Sequence, residues 1–141
     1  MVFDSGSELD LHARERLVTD MTGWLTTVTP DGQPQTFPMW FLWEDDELLI
    51  YSDRRAKRNG NIRANPRVSL VLQGDVKGND VVIVEGEARF DDAAPPPPEH
   101  VAFQAKYGAS IVETFNSPEE HAERYNVAIR IRPTRGVAFP A

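Results

Sequence analysis

The run Ser52-Asp53-Arg54-Arg55-Ala56-Lys57-Arg58-Asn59-Gly60-Asn61-Ile62-Arg63-Ala64-Asn65-Pro66 gathers five cationic side chains and three asparagines in a chain whose formal net charge is −7. Guanidinium and ammonium groups hold anionic oxygens by charge-assisted hydrogen bonds. A local basic cluster on an acidic molecule therefore points to a discrete anion, with phosphate first. The run lies between two strand-like stretches, where side chains and the N-terminus of a helix can be presented together. The alternative is a solvated turn whose cations balance nearby acids.

Other chemistry is thinly represented. His12, His100 and His121 form neither His-x-x-x-His nor His-Glu-x-x-His spacing, so no zinc site is indicated, and all three are expected at exposed positions. Glu44-Asp45-Asp46-Glu47 and Asp91-Asp92 read as solvated turns rather than paired carboxylates for acid/base work. There is no Gly-x-Gly-x-x-Gly and no P-loop, which disfavours a dinucleotide fold. The chain has no cysteine, hence no disulfide, thiolate nucleophile or iron–sulfur cluster.

The basic run is preceded by an aromatic, apolar stretch, Phe37-Pro38-Met39-Trp40-Phe41-Leu42-Trp43. That pairing suits a planar, phosphate-bearing cofactor, its ring along the strand and its phosphate held by cations and amides. Pro38 lacks an N–H, so it belongs at a sheet edge, a bulge or a place where the ladder opens. Trp40 and Trp43 are three positions apart and face opposite sides of an ideal strand. Both are equally readable as core or interface residues.

The elements that must position these groups follow from pattern. Leu9, Ala13, Leu17, Val18 and Met21 recur at helical spacing, with Ser7 as N-cap and Gly23 as stop. Strands are predicted at 24–29, 35–43, 48–52, 68–72, 81–90 and 125–132, with Asp31-Gly32 turning the first into the second. A two-turn helix is predicted from Lys57 to Ala64, ending before Pro66. Four consecutive prolines, Pro95 to Pro98, mark a surface loop and a stiff spacer. Beyond them 99–107 and 109–115 read as helical. Ser117-Pro118-Glu119-Glu120 opens a further helix with Ser117 at N-cap and Pro118 at N1. The strand count predicts a small antiparallel barrel with peripheral helices.

With 141 residues, 15 Lys plus Arg and 22 Asp plus Glu, the chain fits a single domain over 1–141, with a flexible N-terminus at 1–8. The negative balance argues against a nucleic-acid partner. No run approaches the ~20 apolar residues that span a bilayer, so no membrane association and a cytoplasmic location are expected.

Gly23 to Pro34 and Phe37-Pro38-Met39-Trp40-Phe41, followed by Lys57, Asn61-Ile62, Asn65-Pro66-Arg67-Val68-Ser69-Leu70 and Val84-Glu85-Gly86-Glu87-Ala88, resemble the pyridoxamine-phosphate-oxidase-like flavin/deazaflavin proteins. The resemblance spans roughly 11–135 and is nearest the F420-dependent oxidoreductase branch of actinobacterial type. It implies a mainly β fold, an FMN-binding-like split β-barrel with peripheral helices, and a homodimer with cofactor sites at the interface. It further implies cofactor-phosphate contacts at Ser52, Lys57 and Asn61, with Arg54, Arg55 and Arg58 as additional candidates. The deazaflavin or isoalloxazine ring is expected along Pro38, Met39, Trp40 and Phe41, with Arg130 or Arg132 contributed by the partner chain. The ending Thr134-Arg135-Gly136-Val137-Ala138-Phe139 departs from the tryptophan-containing end of many relatives. The implied activity is hydride transfer between reduced F420 and a small organic acceptor, with the proton from water or Tyr51. FMN is the alternative cofactor. A non-catalytic flavin, deazaflavin or haem binder is the alternative role.

Overall fold

The computed structural model describes residues 1–141. Seven strands form one antiparallel sheet: β1 (Gly23–Val28), β2 (Pro34–Met39), β3 (Leu42–Glu44), β4 (Glu47–Asp53), β5 (Arg67–Leu72), β6 (Val82–Phe90) and β7 (Tyr125–Ala138). Their order is β2-β1-β5-β6-β7-β4-β3, and every pairing is antiparallel. The sheet curls into the split barrel expected from the sequence. Four helices surround it: α1 (Glu8–Thr19), α2 (Lys57–Ala64), α3 (Val101–Phe115) and α4 (Pro118–Arg124). None is long and apolar enough to cross a membrane.

Two apolar clusters hold these layers together, and β4 belongs to both. Leu48 and Ile50 point into the barrel core with Leu25, Leu70, Val84 and Ile131. Leu49 and Tyr51, on the alternate face, pack under α3 against Phe103, Tyr107 and Ile111. Period-two alternation with both faces buried explains why this strand reads as an unbroken apolar run. At Gly86, where the β6–β7 register shifts, a Cβ would come within 2.5 Å of the Arg132 carbonyl oxygen. Only glycine allows that approach.

The single strand predicted over 35–43 is two. β2 ends at Met39 on one edge of the sheet and β3 begins at Leu42 on the opposite edge. A residue distant in sequence causes the break. The Tyr107 hydroxyl accepts from the Phe41 N–H (2.9 Å) and lies 2.9 Å from the Phe41 carbonyl and 2.7 Å from that of Met21. Lys106 Nζ also donates to the Phe41 carbonyl (2.9 Å). These side-chain partners replace ladder bonds, so the backbone crosses the barrel end without leaving buried polar groups unpaired. Pro38 sits on the edge strand, as a residue without an N–H should. Trp43 packs on the barrel core and Trp40 on the α3 cluster, on opposite sides.

Other boundaries shift less. α3 runs straight through Gly108, merging two predicted helices, and α1 stops at Thr19 rather than running toward Gly23. β7 continues to Ala138, because β6 pairs with it along its length. Phe3 is buried in the barrel core ahead of α1.

Candidate functional site

The corner between β4 and α2 is built by Asp53. Its carboxylate accepts from the Arg55 N–H (2.9 Å), and its carbonyl from the Ala56 N–H (3.0 Å) and Asn59 Nδ2 (2.9 Å). Arg124 Nε donates to the same carboxylate at 2.7 Å. The Arg124 hydrogen bond, followed by that from the Arg55 N–H, holds the Asp53 carboxyl down at about 2, against an ordinary 3.8. Asp53 is therefore a fixed anion with its bonds taken, a structural pin rather than a base.

This corner delivers the chain to an α2 start that lacks a side-chain cap, because Ala56 is the N-cap residue. The N–H groups of Lys57 and Arg58 have no acceptor in the chain. The first turn carries no acid either, so the positive end of the helix dipole stands open. Lys57 is exposed and forms no salt bridge. Arg58 is partly buried, donates from Nε to Ser52 Oγ (3.0 Å) and lies 5.0 Å from the Phe37 ring centroid. Burial lowers its pKa, opposed in part by the nearby Asp53 charge, and it forms no salt bridge, the Asp53 carboxylate being held by Arg55 and Arg124. A cleft of about 580 Å³ opens beside these groups, walled by Phe37 and Tyr125 and floored by Thr27 and Gln35.

A second cavity of about 200 Å³ adjoins it and shares Phe37, Arg58 and Tyr125 with it. Pro38, Met39, Trp40, Phe115 and His121 complete most of its lining. Trp40 is stacked on Tyr107, ring centroids 4.7 Å apart.

Comparison with known proteins now decides the family. Residues 9–138 match the family described as pyridoxamine 5′-phosphate oxidase. The chain belongs to that family. Among solved structures, an F420 reductase is 26% identical, with 88% of this chain and 94% of that chain covered at a TM-score of 0.63. General stress protein 26 of Bacillus anthracis is 25% identical, with 96% and 97% covered and a TM-score of 0.69. The haem storage protein HutZ of Vibrio cholerae shares the fold at 15% identity, with 94% of each chain covered and a TM-score of 0.63. A search of curated proteins returns no match.

In this member of the pyridoxamine 5′-phosphate oxidase family, the residues singled out by sequence separate into groups. Lys57 and Arg58 line the cleft. Pro38, Met39 and Trp40 line the adjoining cavity, whereas Phe41 is fully buried and lines neither. Ser52 is buried behind the cleft, donating to Asn59 Oδ1 at 2.8 Å. Asn61 is buried beneath it, its Nδ2 donating to Thr27 Oγ1 (3.1 Å) and Gln35 Oε1 (3.0 Å). Arg54 is exposed with no side-chain partner, and exposed Arg55 stands 3.5 Å from the Asp53 carboxylate. Arg130 is committed to Glu44 and Asp91 of its own chain, while Arg132 is exposed beside Glu87.

Two histidine expectations are corrected. His100 is buried: its Nδ1 accepts from the Phe103 N–H as the α3 N-cap, and its Nε2 donates to Glu44. His121 is buried among aromatic rings, and burial lowers its pKa. Only His12 is exposed, bonded to Asp80. The acidic turns are also less solvated than their composition implies, since Glu44, Glu47 and Asp91 all hold arginines. Sequence reading missed Thr27 and Gln35, although the hairpin register set by Asp31-Gly32 pairs them directly. Arg124 and Tyr125, which close the cleft from 71 positions beyond Asp53 in the case of Arg124, carry no local signal.

Proposed function

We propose that the chain is an F420-dependent oxidoreductase of the cytoplasm, acting as a homodimer on a small organic acceptor. The observation that carries this reading is the pair Lys57 and Arg58, cations without carboxylate partners at an uncapped helix start on a cleft of about 580 Å³. Its donor set matches a phosphate: an ammonium, a guanidinium and two free N–H groups at the positive end of a helix. The cleft also falls in the ~300–1,000 Å³ range of cofactor-sized pockets. Family membership supports a flavin-type cofactor, and the F420 reductase at 26% identity supports the deazaflavin choice.

When bound, reduced F420 supplies a hydride to an electron-poor carbon. The residues of the chain then bind, orient and exclude water. Lys57, Arg58 and the α2 N–H groups take the phosphate. Asn61 ties α2 to the β1–β2 hairpin through Thr27 and Gln35, which keeps the cleft floor in place. Phe37 and Tyr125 offer an apolar wall on which a planar ring stacks. Exposed Arg54 extends the positive field toward the polyglutamate tail of F420. Tyr51 keeps its proton: burial and the nearby Glu44 charge push it up to about 12, and its hydroxyl donates to the Pro95 carbonyl at 2.5 Å. Water is therefore the proton source we assign.

Phe37 is a large exposed apolar residue on the edge strand β2 at the cleft, and covering it is the role we assign to a second copy. A haem reading finds less support. His100 has both ring nitrogens occupied, and the only histidine beside an aromatic cavity, His121, faces a space of about 200 Å³. FMN is the second reading, since its phosphate suits the same donors. Titrating F420 and FMN into the same cofactor-free protein tests the choice. We expect F420 to bind about tenfold tighter or better. Preference for FMN, or binding of neither, overturns the F420 assignment.

A further inference from the structure

β4 and β6 carry the same kind of apolar run, but only β4 has both faces covered. Leu48 and Ile50 of β4 face the barrel core, and Leu49 and Tyr51 lie under α3. In Val81-Val82-Ile83-Val84, at the start of β6, Val82 and Val84 face the core and Ile83 alternates to the outer face. None of the four helices packs substantially against β5 or β6. A strand that is apolar on both sides is ordinarily buried on both, so this outer face lacks its cover within the chain.

The sheet register aligns the side chains on that face. Trp24 of β1 pairs with Val71 of β5, Val71 with Ile83 of β6, and Ile83 with Val137 of β7. The four make one row across four strands, and none joins or packs against either apolar cluster. Trp24 is 39% exposed and the other three are partly exposed. Beside the row, the same face alternates in charge. Arg135 lies 3.3 Å from Glu85 and Arg132 lies 3.0 Å from Glu87, both pairs being open to solvent. Arg67, opposite Glu87 in the register, is exposed and forms no ion pair. Three cations thus stand against two carboxylates here, on a chain whose net charge is −7. A flat face of alternating sign is complementary to a copy of itself turned about a two-fold axis.

We propose that the outer face of β1, β5, β6 and β7 seats the same face of a second copy of this chain. The two apolar rows pack sheet on sheet, and the carboxylates of each copy meet the arginines of the other. The proposal rests on the homodimer of the function proposed above and assigns the surface that makes it. Charge selects the occupant: two chains of net charge −7 repel one another except where their signs alternate, and this face joins alternating signs to an apolar strip. β1 adjoins the edge strand β2, so a copy that overhangs the face reaches Phe37 across the sheet edge.

Sedimentation velocity on the full chain tests the face with two complementary variants. Glu85→Arg with Glu87→Arg makes its charges all positive, and Arg67→Glu with Arg132→Glu and Arg135→Glu makes them all negative. The native chain should sediment as a dimer. Like-charge contact should weaken self-association of each variant at least about a hundredfold, and mixing the two should restore a dimer within about tenfold of the native affinity. Recovery on mixing also shows that both variants are folded. Ile83→Lys tests the apolar row separately, and should dissociate the dimer with its circular-dichroism spectrum unchanged. Val101→Arg with Val112→Arg, two exposed positions on α3, is the control and should leave the dimer intact. A native chain that stays monomeric leaves the row to another protein and overturns the homodimer together with the face. A dimer that survives in both charge variants and in Ile83→Lys, or that only the α3 control disrupts, overturns the face and leaves the homodimer standing. Folded charge variants that stay monomeric when mixed overturn the face-to-face pairing. None of these outcomes depends on F420, so the cofactor reading is tested apart from them.

Discussion

Around Glu44 every charge finds its partner within the chain. Arg130 donates to Glu44 (2.9 Å) and to Asp91 (2.6 Å), and His100 donates to Glu44 at 3.1 Å. Around Asp53 the composition is similar but the pairing is not. One carboxylate is shared by Arg124 and Arg55, leaving Lys57, Arg58 and Arg54 without any. The first region locks α3 and the proline-rich loop onto the sheet, and folding alone accounts for it. The second gathers cations that gain nothing from one another, beside a helix start that nothing caps. In the function proposed above, the charges that folding leaves unpaired meet a ligand, so the proposed binding site is the β4–α2 corner and not the better-connected network.

The comparison breaks most visibly if the networked region is damaged. Glu44→Leu leaves the His100 Nε2–H buried without an acceptor and Arg130 with Asp91 alone. Partial exposure softens the effect, and we expect a loss of about 2 kcal/mol in urea denaturation with F420 affinity unchanged within about twofold. A large affinity loss at preserved stability would instead place the ligand at this network.

Lys57→Ala should do the reverse. Removing one charge-assisted bond to a phosphate costs about 1.5 kcal/mol, or about tenfold in F420 affinity. Stability should stay within about 0.5 kcal/mol, since the side chain is exposed and touches no partner. Unchanged affinity in the folded variant would reduce the basic corner to a solvated turn.

Acid separates the pin of the corner from its free cations. The Asp53 carboxyl is depressed to about 2 from an ordinary 3.8, so its stabilising contribution is complete above that ordinary value and is lost as pH falls toward about 2. Asp53→Asn should flatten the stability profile in this window and leave it unaltered near neutrality in slope, though lower in height. A native profile that is already flat there would mean that Arg124 and Arg55 do not hold the carboxylate.

How much of this was written in local sequence depends on the distance over which each feature is decided. The α2 limits, Lys57 to Ala64, follow from the basic run and Pro66, and the caps at Ser7 and Ser117 sit where short-range hydrogen bonding puts them. The basic corner was legible for the same reason: its cations are neighbours in the chain. The break after Met39 was not, because its cause is the Tyr107 hydroxyl, 66 positions from Phe41. The buried histidines were misread on similar grounds. The charged neighbours of His100 and His121 in sequence lie on the outer faces of turns and helices, while the partners that bury them are Glu44, Trp40 and Tyr125. The pairing of Glu44 with Arg130 spans 86 positions. Composition shows that such charges exist, but only the folded sheet shows which are spent.

The finest test of the comparison is at Arg54, which is exposed and unpartnered and does not line the cleft. If the free cations of this corner serve only a phosphate, removing Arg54 alters nothing. If they also meet a longer anionic chain, Arg54→Ala weakens F420 by about twofold, the worth of one exposed ion pair. FMN affinity should be untouched, because its charge ends at the phosphate. The difference should shrink at high salt, where exposed pairs are screened beyond a Debye length of about 3 Å at 1 M. Equal effects on both cofactors would assign Arg54 to the phosphate itself. No effect on either would confine the anion site to Lys57, Arg58 and the helix start, and would remove the charge-based reason to prefer F420 over FMN.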